Sequence, residues 1–509
     1  MNRKNVLQWL ENSAHIYPEK IACADPDSKG TYLWLMNTSQ AIGSYLTGII
    51  EPREPVTFYL EKSTLALAGM FGAVYAGGFY SLLDTRQPSA RLHTILSVLE
   101  PKIILTDLVN YDKAVELFGD QYRIEKLEDI VKNSVIEIEK LDAIRAQALD
   151  IDPLYVNFTS GSTGTPKGVT VAHRSVIDFV EVFVSTFGIT KNDVIGNQAP
   201  FDFDVSVKDI FSCMYTAAEL QIIPREYFSN PTLLMDFLCE RKVTVLVWAV
   251  SAMCFVSIMN GFGYKTPDTI RMVLFSGEVM PMKQLKKWQE ALGEGVTYVN
   301  LYGPTETTCN CTYYVLEKRP YALDEILPIG KAFMNERVFL LDENDKEITE
   351  PNKQGELCVC STDLAICYYK DKEKTDAAFM QNPLNHNYYE RMYRTGDLCY
   401  YREDGNLVYA TRKDFQVKHL GHRIELGEIE AQVQARDGIT RACCLYNNVK
   451  KRIILFYTGE RESKELLTEL RDVLPPFMLP NKLERLEEMP LNKNGKIDRN
   501  ALKKLGGIA

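Results

Sequence analysis

The sequence predicts an α/β fold: a large N-terminal part of layered α/β subdomains with a β-rich subdomain, followed by a small α+β unit. Helix-like and strand-like segments alternate through the first two thirds of the chain, for example a helix over Thr64–Ala76 and a strand over Val243–Val247. This alternation is typical of parallel sheets covered by helices. Residues 337–409 are richer in strand-forming segments and predict the β-rich subdomain. The charge balance changes near residues 412–414, where we expect the domain boundary.

Composition narrows the class of protein. Of the 509 residues, 46% are hydrophobic and 25% are charged, as in globular domains. The net charge of −10 argues against nucleic acid as the main partner, and no apolar run is long enough to predict insertion into a membrane. The 12 cysteines and 6 histidines lack the spacing of metal ligands. We therefore expect a reducing, cytoplasmic location and buried thiols at Cys309, Cys311, Cys358 and Cys360.

The charge is uneven along the chain. From Lys413 onward there are 18 basic and 14 acidic residues, so the C-terminal unit is basic and the remainder carries the negative excess. A basic unit would attract an acidic partner, although a solvated surface explains the same charges equally well.

The most informative segment is the loop Phe158–Gly168. It contains three glycines, five Ser or Thr residues and the single lysine Lys167, a composition unsuited to the core of a helix or strand. Backbone N–H groups, hydroxyls and an ammonium can converge there on an anion such as a polyphosphate. Strand-like residues flank the loop, whereas a solvated linker would need neither these strands nor the Pro-Lys-Gly sequence. The spacing differs from that of a Walker A loop.

Four further segments carry groups suited to the same ligand. Tyr302–Thr308 offers an aromatic ring, hydroxyls and the carboxylate of Glu306, which is suited to Mg²⁺. Asp397 follows a glycine turn, and its carboxylate can accept hydrogen bonds from both hydroxyls of a ribose. Taken alone, an aspartate at this place is more commonly part of a β-turn. Residues 414–426 predict a half-buried ribbon, and residues 494–499 predict a turn that carries a lysine.

In identity, order and spacing, these motifs resemble those of the adenylate-forming superfamily of acyl-CoA synthetases, luciferases and nonribosomal peptide adenylation domains. The resemblance implies an N-terminal domain of residues 1–412, a small mobile C-terminal domain of residues 413–509 and a hinge at Asp414. It also implies the reaction. A carboxylate and Mg·ATP give an acyl-adenylate and pyrophosphate, and the acyl group then passes to a thiol.

The resemblance also implies individual roles. Lys496 would bridge the substrate carboxylate and the α-phosphate, Glu306 would hold Mg²⁺, and Thr159 and Lys167 would help to neutralise the leaving pyrophosphate. Rotation at Asp414 would then carry Lys496 away for the thiol step. The residues implied for ATP binding are Thr159, Ser160, Gly161, Ser162, Thr163, Gly164, Lys167, Asn300, Tyr302 (on adenine), Gly303, Thr305, Asp397 and Arg412 (on ribose), and Lys496.

Asp204 narrows the carboxylate substrate. Superfamily members that activate amino acids carry an aspartate at this place, where it pairs with the substrate ammonium, and ligases of fatty and aryl acids lack it. A buried carboxylate needs a cationic partner, so the resemblance implies an α-amino acid. The alternative is that Asp204 caps a neighbouring helix.

Among amino-acid activators, the chain resembles D-alanine–carrier protein ligases in the segments Asn197–Phe201, Phe275 with Gly277–Glu278, Asp414–Lys418 and Glu428–Glu430. The chain ends ten residues after Arg499. We therefore expect the acidic, phosphopantetheinylated carrier protein to be a separate protein that acts in trans.

The side-chain pocket departs from that of the alanine-activating enzymes. Lys208 stands where those enzymes have an apolar residue, and Ser276 replaces a cysteine. A buried lysine in an alanine-sized pocket would leave its charge uncompensated, which predicts a larger or polar side chain with an acceptor for Lys208, for example a carboxylate. The alternative is that Lys208 snorkels to solvent and the pocket still suits alanine. The full lining implied by the resemblance is Val205, Lys208, Val247, Leu274, Ser276, Leu301, Cys309 and Asn310.

Two other functions deserve comparison. An acid–CoA ligase would share the adenylation chemistry, but Asp204 argues against it. A non-catalytic nucleotide-binding protein would be expected to lack Lys167, Glu306 or Lys496, and all three are present.

Overall fold

A computed structural model describes residues 5–161, 166–413, 416–491 and 497–508. The chain divides into two compact units. The first consists of Met1–Thr85, Pro101–Asn157 and Val169–Thr411, and the second of Arg86–Glu100, Phe158–Gly168 and Arg412–Ala509. The domain boundary expected at residue 412 stays a prediction, because the second unit also includes two segments from earlier in the chain.

Some helices of the first unit begin at sequence signals that satisfy their first N–H groups. Thr31 and Ser63 cap two of them by accepting hydrogen bonds from the N–H groups of Trp34 and Ala66. The helices are α1 (Leu7–Ile16), α2 (Tyr32–Leu46), α3 (Thr64–Tyr75), α5 (Tyr111–Phe118), α6 (Leu127–Asn133), α7 (Ile138–Gln147), α8 (His173–Phe187), α9 (Val205–Thr216), α10 (Pro231–Glu240), α11 (Val250–Ile258), α12 (Gly261–Tyr264), α13 (Met282–Leu292) and α14 (Lys372–Ala378). Helix α4 (Ser89–Leu99) belongs to the second unit.

A nine-stranded sheet dominates the first unit. Its strands are β1 (Ile21–Ala24), β2 (Lys29–Thr31), β9 (Val194–Asn197), β10 (Glu219–Ile222), β11 (Val245–Ala249), β12 (Met272–Ser276), β13 (Thr297–Tyr302), β14 (Thr312–Val315) and β15 (Lys331–Ala332). They lie in the order β15-β14-β13-β12-β11-β9-β10-β1-β2. The pairs from β13 through β12, β11, β9 and β10 to β1 are parallel, as the alternating pattern of the sequence predicts.

A second large sheet has seven strands, in the order β19-β8-β7-β4-β3-β5-β6. They are β3 (Pro55–Tyr59), β4 (Phe79–Leu83), β5 (Ile103–Thr106), β6 (Arg123–Lys126), β7 (Pro153–Thr159), β8 (Lys167–Ala172) and β19 (Cys367–Tyr368). Strands β7 and β8 enclose the glycine-rich loop, which confirms that it lies between two strands. One hydrophobic core takes residues from both large sheets and from helices α3, α8 and α9.

The predicted β-rich subdomain is confirmed as a third sheet of the first unit. Strands β17, β16, β18, β21 and β20 lie side by side in that order, and β22 pairs with β21. Their bounds are β16 (Glu336–Leu341), β17 (Glu347–Ile348), β18 (Gly355–Ser361), β20 (Phe379–Gln381), β21 (Arg391–Tyr401) and β22 (Leu407–Arg412). The thiols of Cys309, Cys311, Cys358 and Cys360 are buried and unpaired, as predicted.

The second unit mixes helices with small sheets. Strands β23 (Gln416–His419) and β24 (His422–Glu425) form an antiparallel ribbon, and β25 (Ile439–Asn447), β26 (Arg452–Gly459) and β27 (Lys482–Arg485) form a three-stranded sheet. Its helices are α4 (Ser89–Leu99), α15 (Leu426–Gln434), α16 (Ser463–Arg471) and α17 (Arg499–Leu505). The α/β class with layered subdomains and a smaller α+β unit is thus confirmed. Within the described ranges, no helix combines the length and apolarity needed to cross a bilayer.

Candidate active site

The carboxyl ends of β11, β12 and β13 form one wall of the candidate pocket. In the parallel register Val247 lies beside Leu274, and Leu274 lies beside Val299. Because side chains alternate along a strand, Val247, Leu274, Ser276 and Leu301 share one face of the sheet, and all four are buried. Ligands of open α/β sheets bind beyond the carboxyl ends of the parallel strands. The structure therefore brings these four predicted lining residues together at a suitable edge.

Asp204 lies directly before α9, at the N-cap position. Its side chain makes no capping hydrogen bond, so the structure does not support the alternative that Asp204 serves as a helix cap. Burial raises the pKa of its carboxyl, and a hydrogen bond with Thr305 and the charge of Lys208 act in the opposite direction. A carboxylate that is partly desolvated in this way has a strong preference for a cationic ligand.

Lys208 lies one helical turn after Asp204 on α9. Its side chain has no solvent exposure, and its Nζ donates a hydrogen bond of 2.6 Å to Oδ1 of Asn310. The alternative that this ammonium snorkels to solvent is therefore wrong. Burial lowers the pKa of Lys208, and nearby Cys309, Asp204 and Asp209 oppose that change.

A separate polar network, which starts at Asp209, lies close to Lys208. Oδ2 of Asp209 accepts a hydrogen bond of 2.7 Å from Nδ2 of Asn197, and burial raises the pKa of Asp209 to about 7. Oδ1 of Asn197 in turn accepts a hydrogen bond of 3.0 Å from Nζ of Lys62, whose pKa is lowered to about 7 by desolvation. Sequence reasoning missed Lys62 and Asp209, although two adjacent charges on an otherwise apolar α9 were a visible signal.

The chain folds back closely after β13. A Cβ on Gly303 would lie 2.3 Å from Cα of Asn310, so only glycine allows this approach. Thr308 and Cys309 have φ values of 45° and 82°, in the left-handed region that non-glycine residues rarely adopt. The Cys309 thiol donates to the backbone oxygen of Asp204 at 2.8 Å. This return brings Cys309 and Asn310 next to the start of α9, as the predicted lining requires.

Glu306 lies in a short 3₁₀ turn (Thr305–Thr307) on this return and is fully buried. Its Oε1 accepts a hydrogen bond of 2.7 Å from the hydroxyl of Tyr368, a partner that the sequence did not reveal. No cluster of three or more His, Cys, Asp or Glu side chains suited to a metal ion occurs in the described parts of the chain. A single oriented carboxylate nevertheless fits nucleotide-bound Mg²⁺, which takes its other ligands from phosphates and water.

Two residues expected to bind the nucleoside lie in contact. The hydroxyl of Tyr302 donates a hydrogen bond to Oδ2 of Asp397, and both side chains are buried. Burial raises the pKa of Tyr302 well above its ordinary value. Asn300, two residues earlier on β13, is held by a 2.8 Å hydrogen bond from its Nδ2 to the backbone oxygen of Pro328. These three residues are fixed in the first unit by the protein's own hydrogen bonds.

The described part of the glycine-rich loop belongs to the second unit. The Ser160 hydroxyl donates to the Arg423 backbone oxygen at 2.6 Å, and Gly161 N–H donates to Oε2 of Glu428 at 3.2 Å. Nζ of Lys167 lies 3.8 Å from Oε1 of Glu425. In this structure, oxygens of the second unit itself are the partners of the Ser160, Gly161 and Lys167 groups that the resemblance assigns to phosphate.

The structure describes some of the remaining predicted site residues and not others. Val205 is half-buried at the first position of α9, and Arg412 is the last residue of β22. The Thr159 hydroxyl is buried and makes no hydrogen bond to the described residues. Five predicted residues lie outside the described ranges: Ser162, Thr163, Gly164, Asp414 and Lys496.

Known proteins share similarity with nearly the whole length of this chain. Residues 10–369 match the family model for AMP-binding enzymes. Zwittermicin A synthase ZmaJ of Bacillus cereus is 31% identical over 96% of this chain and 93% of its own length. D-alanine–D-alanyl carrier protein ligase of Staphylococcus haemolyticus is 29% identical over 97% of this chain and 98% of its own length.

Longer relatives and solved structures extend the comparison. Tyrocidine synthase 1 of Brevibacillus parabrevis is 29% identical over 98% of this chain, which spans 45% of that protein. The fold matches the crystal structure of the Vibrio cholerae adenylation domain AlmE, in complex with glycyl-adenosine-5′-phosphate, with a TM-score of 0.83 at 20% identity. That match covers 100% of this chain and 98% of the other. On the family match and the near full-length similarity to ZmaJ, this chain belongs to the AMP-binding enzyme family.

Proposed function

We propose that this protein activates an α-amino acid with ATP as an aminoacyl-adenylate, releases pyrophosphate, and transfers the aminoacyl group to the phosphopantetheine thiol of a separate carrier protein. The observation that carries the proposal is Asp204, a desolvated carboxylate without a capping role at the start of α9. Its backbone oxygen accepts a hydrogen bond from Cys309, which belongs to the same buried cluster as the predicted lining residues Val247, Leu274 and Leu301. An ammonium there would complete the ion pair that a buried carboxylate requires.

The residues of the chain have distinct parts in this reaction. Asp204 holds the substrate α-ammonium, which leaves the α-carboxylate as the nucleophile. One carboxylate oxygen attacks the α-phosphorus of ATP, the bond to the β-phosphate oxygen breaks, and pyrophosphate leaves. Thr159, Ser160 and Lys167 bind the departing phosphates through their hydroxyls and ammonium. By resemblance, Lys496 stabilises the negative charge between the carboxylate and the α-phosphate.

Glu306 would hold Mg²⁺, which supplies charge neutralisation of the phosphates. Its fixed orientation by Tyr368 suits this part, because a metal ligand is positioned by its own hydrogen bonds. Asn300, Tyr302, Gly303, Thr305, Asp397 and Arg412 would bind the nucleoside and its phosphates.

The acceptor thiol is the next part of the proposal. The relatives include a protein named for its carrier, the D-alanyl carrier protein ligase, and the basic C-terminal region suits the acidic surface that we expect of a carrier. The free thiols of the described cysteines suit a reducing compartment such as the cytoplasm. The pocket differs from one built for alanine, because Lys208 is buried within it rather than directed to solvent.

Pyrophosphate exchange tests the adenylation step directly. Purified protein is incubated with ATP, labelled pyrophosphate and single D- or L-amino acids. We expect exchange that depends on one amino acid and falls about 100-fold in Asp204→Ala, since a buried ammonium loses its counter-charge. Asp324→Ala, an exposed aspartate of the same unit, is the matched control. Exchange that Asp204→Ala leaves unchanged would contradict the proposal.

The transfer step separates this function from that of an acid–CoA ligase. The activated amino acid is offered to CoA and, in parallel, to a phosphopantetheinylated carrier protein. We expect aminoacylation of the carrier in preference to CoA. Lys496→Ala is expected to abolish exchange while ATP still binds, and Lys503→Ala, on the exposed face of α17, serves as its control.

A further inference from the structure

Lys208 has hydrogen-bonding capacity that the described protein does not use. Its fully buried ammonium makes one hydrogen bond within the described residues, to Oδ1 of Asn310. An ammonium carries three donors, so two donors remain without an acceptor in this part of the chain. A buried donor without a partner is costly. The arrangement therefore points to acceptor atoms that arrive with a ligand.

The neighbouring Lys62 shows that this deficit is specific to Lys208. Nζ of Lys62 lies within 3.3 Å of four oxygens, which belong to the side chain and backbone of Asn197 and to the backbones of Gln198 and Ala199. The protein itself thus surrounds the ammonium of the half-buried Lys62 with acceptors. Within the described residues, it gives the Lys208 ammonium one acceptor, the Asn310 amide oxygen, with Asp204 and Cys309 close by.

Charge balance identifies the kind of acceptor that is missing. Asp204 and Asp209 are the two carboxyl groups whose charges act on Lys208. The proposed substrate ammonium would pair with Asp204, and burial raises the pKa of Asp209 to about 7, so near neutral pH Asp209 gives Lys208 only part of a counter-charge. Buried charge without a counter-charge is strongly destabilising. A second carboxylate on the substrate restores the balance.

The spacing of the two charged residues limits the size of the substrate. Asp204 and Lys208 are four residues apart at the start of α9, so their Cβ atoms lie on one face about 5–6 Å apart. A carboxylate on a short methylene chain can therefore reach Lys208 while the ammonium stays at Asp204. The apolar walls at Val247, Leu274 and Leu301 suit those methylenes.

We propose that the activated substrate is a dicarboxylic α-amino acid of the size of aspartate or glutamate, with its side-chain carboxylate bound by Lys208 and its ammonium by Asp204. Asn310 acts as a positioning residue that holds the Lys208 ammonium towards the pocket. This proposal rests on the proposed amino-acid activation and specifies the substrate of that same site.

The first test compares acids with their amides. Pyrophosphate exchange is measured with both enantiomers of aspartate, glutamate, asparagine, glutamine and alanine. We expect kcat/KM for the preferred acid to exceed that for its amide by about 100-fold, because the amide leaves the buried ammonium without a counter-charge. Equal or faster exchange with an amide or with alanine overturns this proposal and leaves amino-acid activation intact. Absence of exchange with every amino acid, in protein that binds ATP, contradicts the proposed function and this inference with it.

The second test changes the partner of Lys208. Asn310→Asp keeps the shape of the side chain and supplies a carboxylate from the protein, so the preference for acid over amide should fall to about equality. Lys208→Met should abolish exchange with the acid. Lys286→Met, an exposed lysine of α13, should keep the wild-type ratio. If Lys208→Met does not fold, Asn310→Asp still tests the proposal. An unchanged ratio of kcat/KM for the acid to kcat/KM for the amide in that variant contradicts the proposal.

Discussion

The Tyr368 hydroxyl donates a hydrogen bond of 2.7 Å to Oε1 of Glu306, and both side chains are buried. A hydrogen bond to a charged group contributes about 1.5–3 kcal/mol, so Tyr368→Phe should leave Glu306 poorly oriented. We expect the Mg²⁺ concentration for half-maximal pyrophosphate exchange to rise about tenfold. The measurement is exchange rate against Mg²⁺ concentration. Tyr388→Phe, on an exposed tyrosine, is the control, and an unchanged Mg²⁺ requirement in Tyr368→Phe would refute the role.

Asp204 gives the substrate affinity a defined dependence on pH. Burial raises the pKa of its carboxyl above the ordinary 3.8, and only the ionised form pairs with an ammonium. The KM for the amino acid should therefore rise as pH falls through this raised pKa, at a higher pH than for an ordinary aspartate. In Asp204→Asn the KM should be high and flat over the same range. A KM that rises equally in this variant would show that another group titrates.

Gly303 should tolerate no side chain. A Cβ there would lie 2.3 Å from Cα of Asn310 and 2.6 Å from the backbone oxygen of Cys309, neither of which can move independently of the chain. We expect Gly303→Ala to lower the free energy of unfolding by about 1–3 kcal/mol and to reduce exchange, as measured by urea denaturation and by the exchange assay. Gly295→Ala is a matched control, since no atom lies within 4 Å of its added Cβ. Equal behaviour of the two variants would disprove the steric explanation.

His173 should make the first unit sensitive to acid. Its imidazole is buried, Nδ1 accepts a hydrogen bond of 3.4 Å from Val6 N–H, and burial lowers its pKa from 6.5 to about 3. Below about pH 6.5 the unfolded chain binds a proton that the folded protein excludes, so stability falls by about 1.4 kcal/mol per pH unit until the folded pKa is reached.

The variant His173→Gln removes this titration. Its unfolding free energy in urea should vary less than that of the wild type between about pH 5 and pH 6.5. His386→Gln, on an exposed histidine, should retain the wild-type slope. A slope in His173→Gln as steep as in the wild type would assign the acid sensitivity to other groups.

Residues on regular strands were the easiest to place from the sequence. Val247, Leu274 and Leu301 could be named from the resemblance to adenylate-forming enzymes, and the strand register of the structure then gives them a common face. The strands around the glycine-rich loop followed from the sequence itself, from short apolar runs on both sides of residues that cannot form a core.

Contacts between distant segments could not be derived in this way. Lys208 and Asn310 are separated by 102 residues, and Tyr368 and Glu306 by 62. Their meeting depends on how the chain returns after β13, which no local propensity determines. The sequence left two possibilities for the Lys208 side chain for this reason, and only its burial in the folded protein distinguishes them.

The left-handed backbone at Thr308 and Cys309 has a consequence for redesign of the pocket. These residues hold an unfavourable conformation before any substrate arrives, so a replacement at Cys309 changes loop geometry as well as pocket chemistry. Substitutions at Val247 or Leu274 lie on unstrained strands of the sheet and carry no such coupling. Libraries intended to alter substrate choice should therefore diversify the strand positions first and retain the Thr308–Asn310 backbone of the native protein.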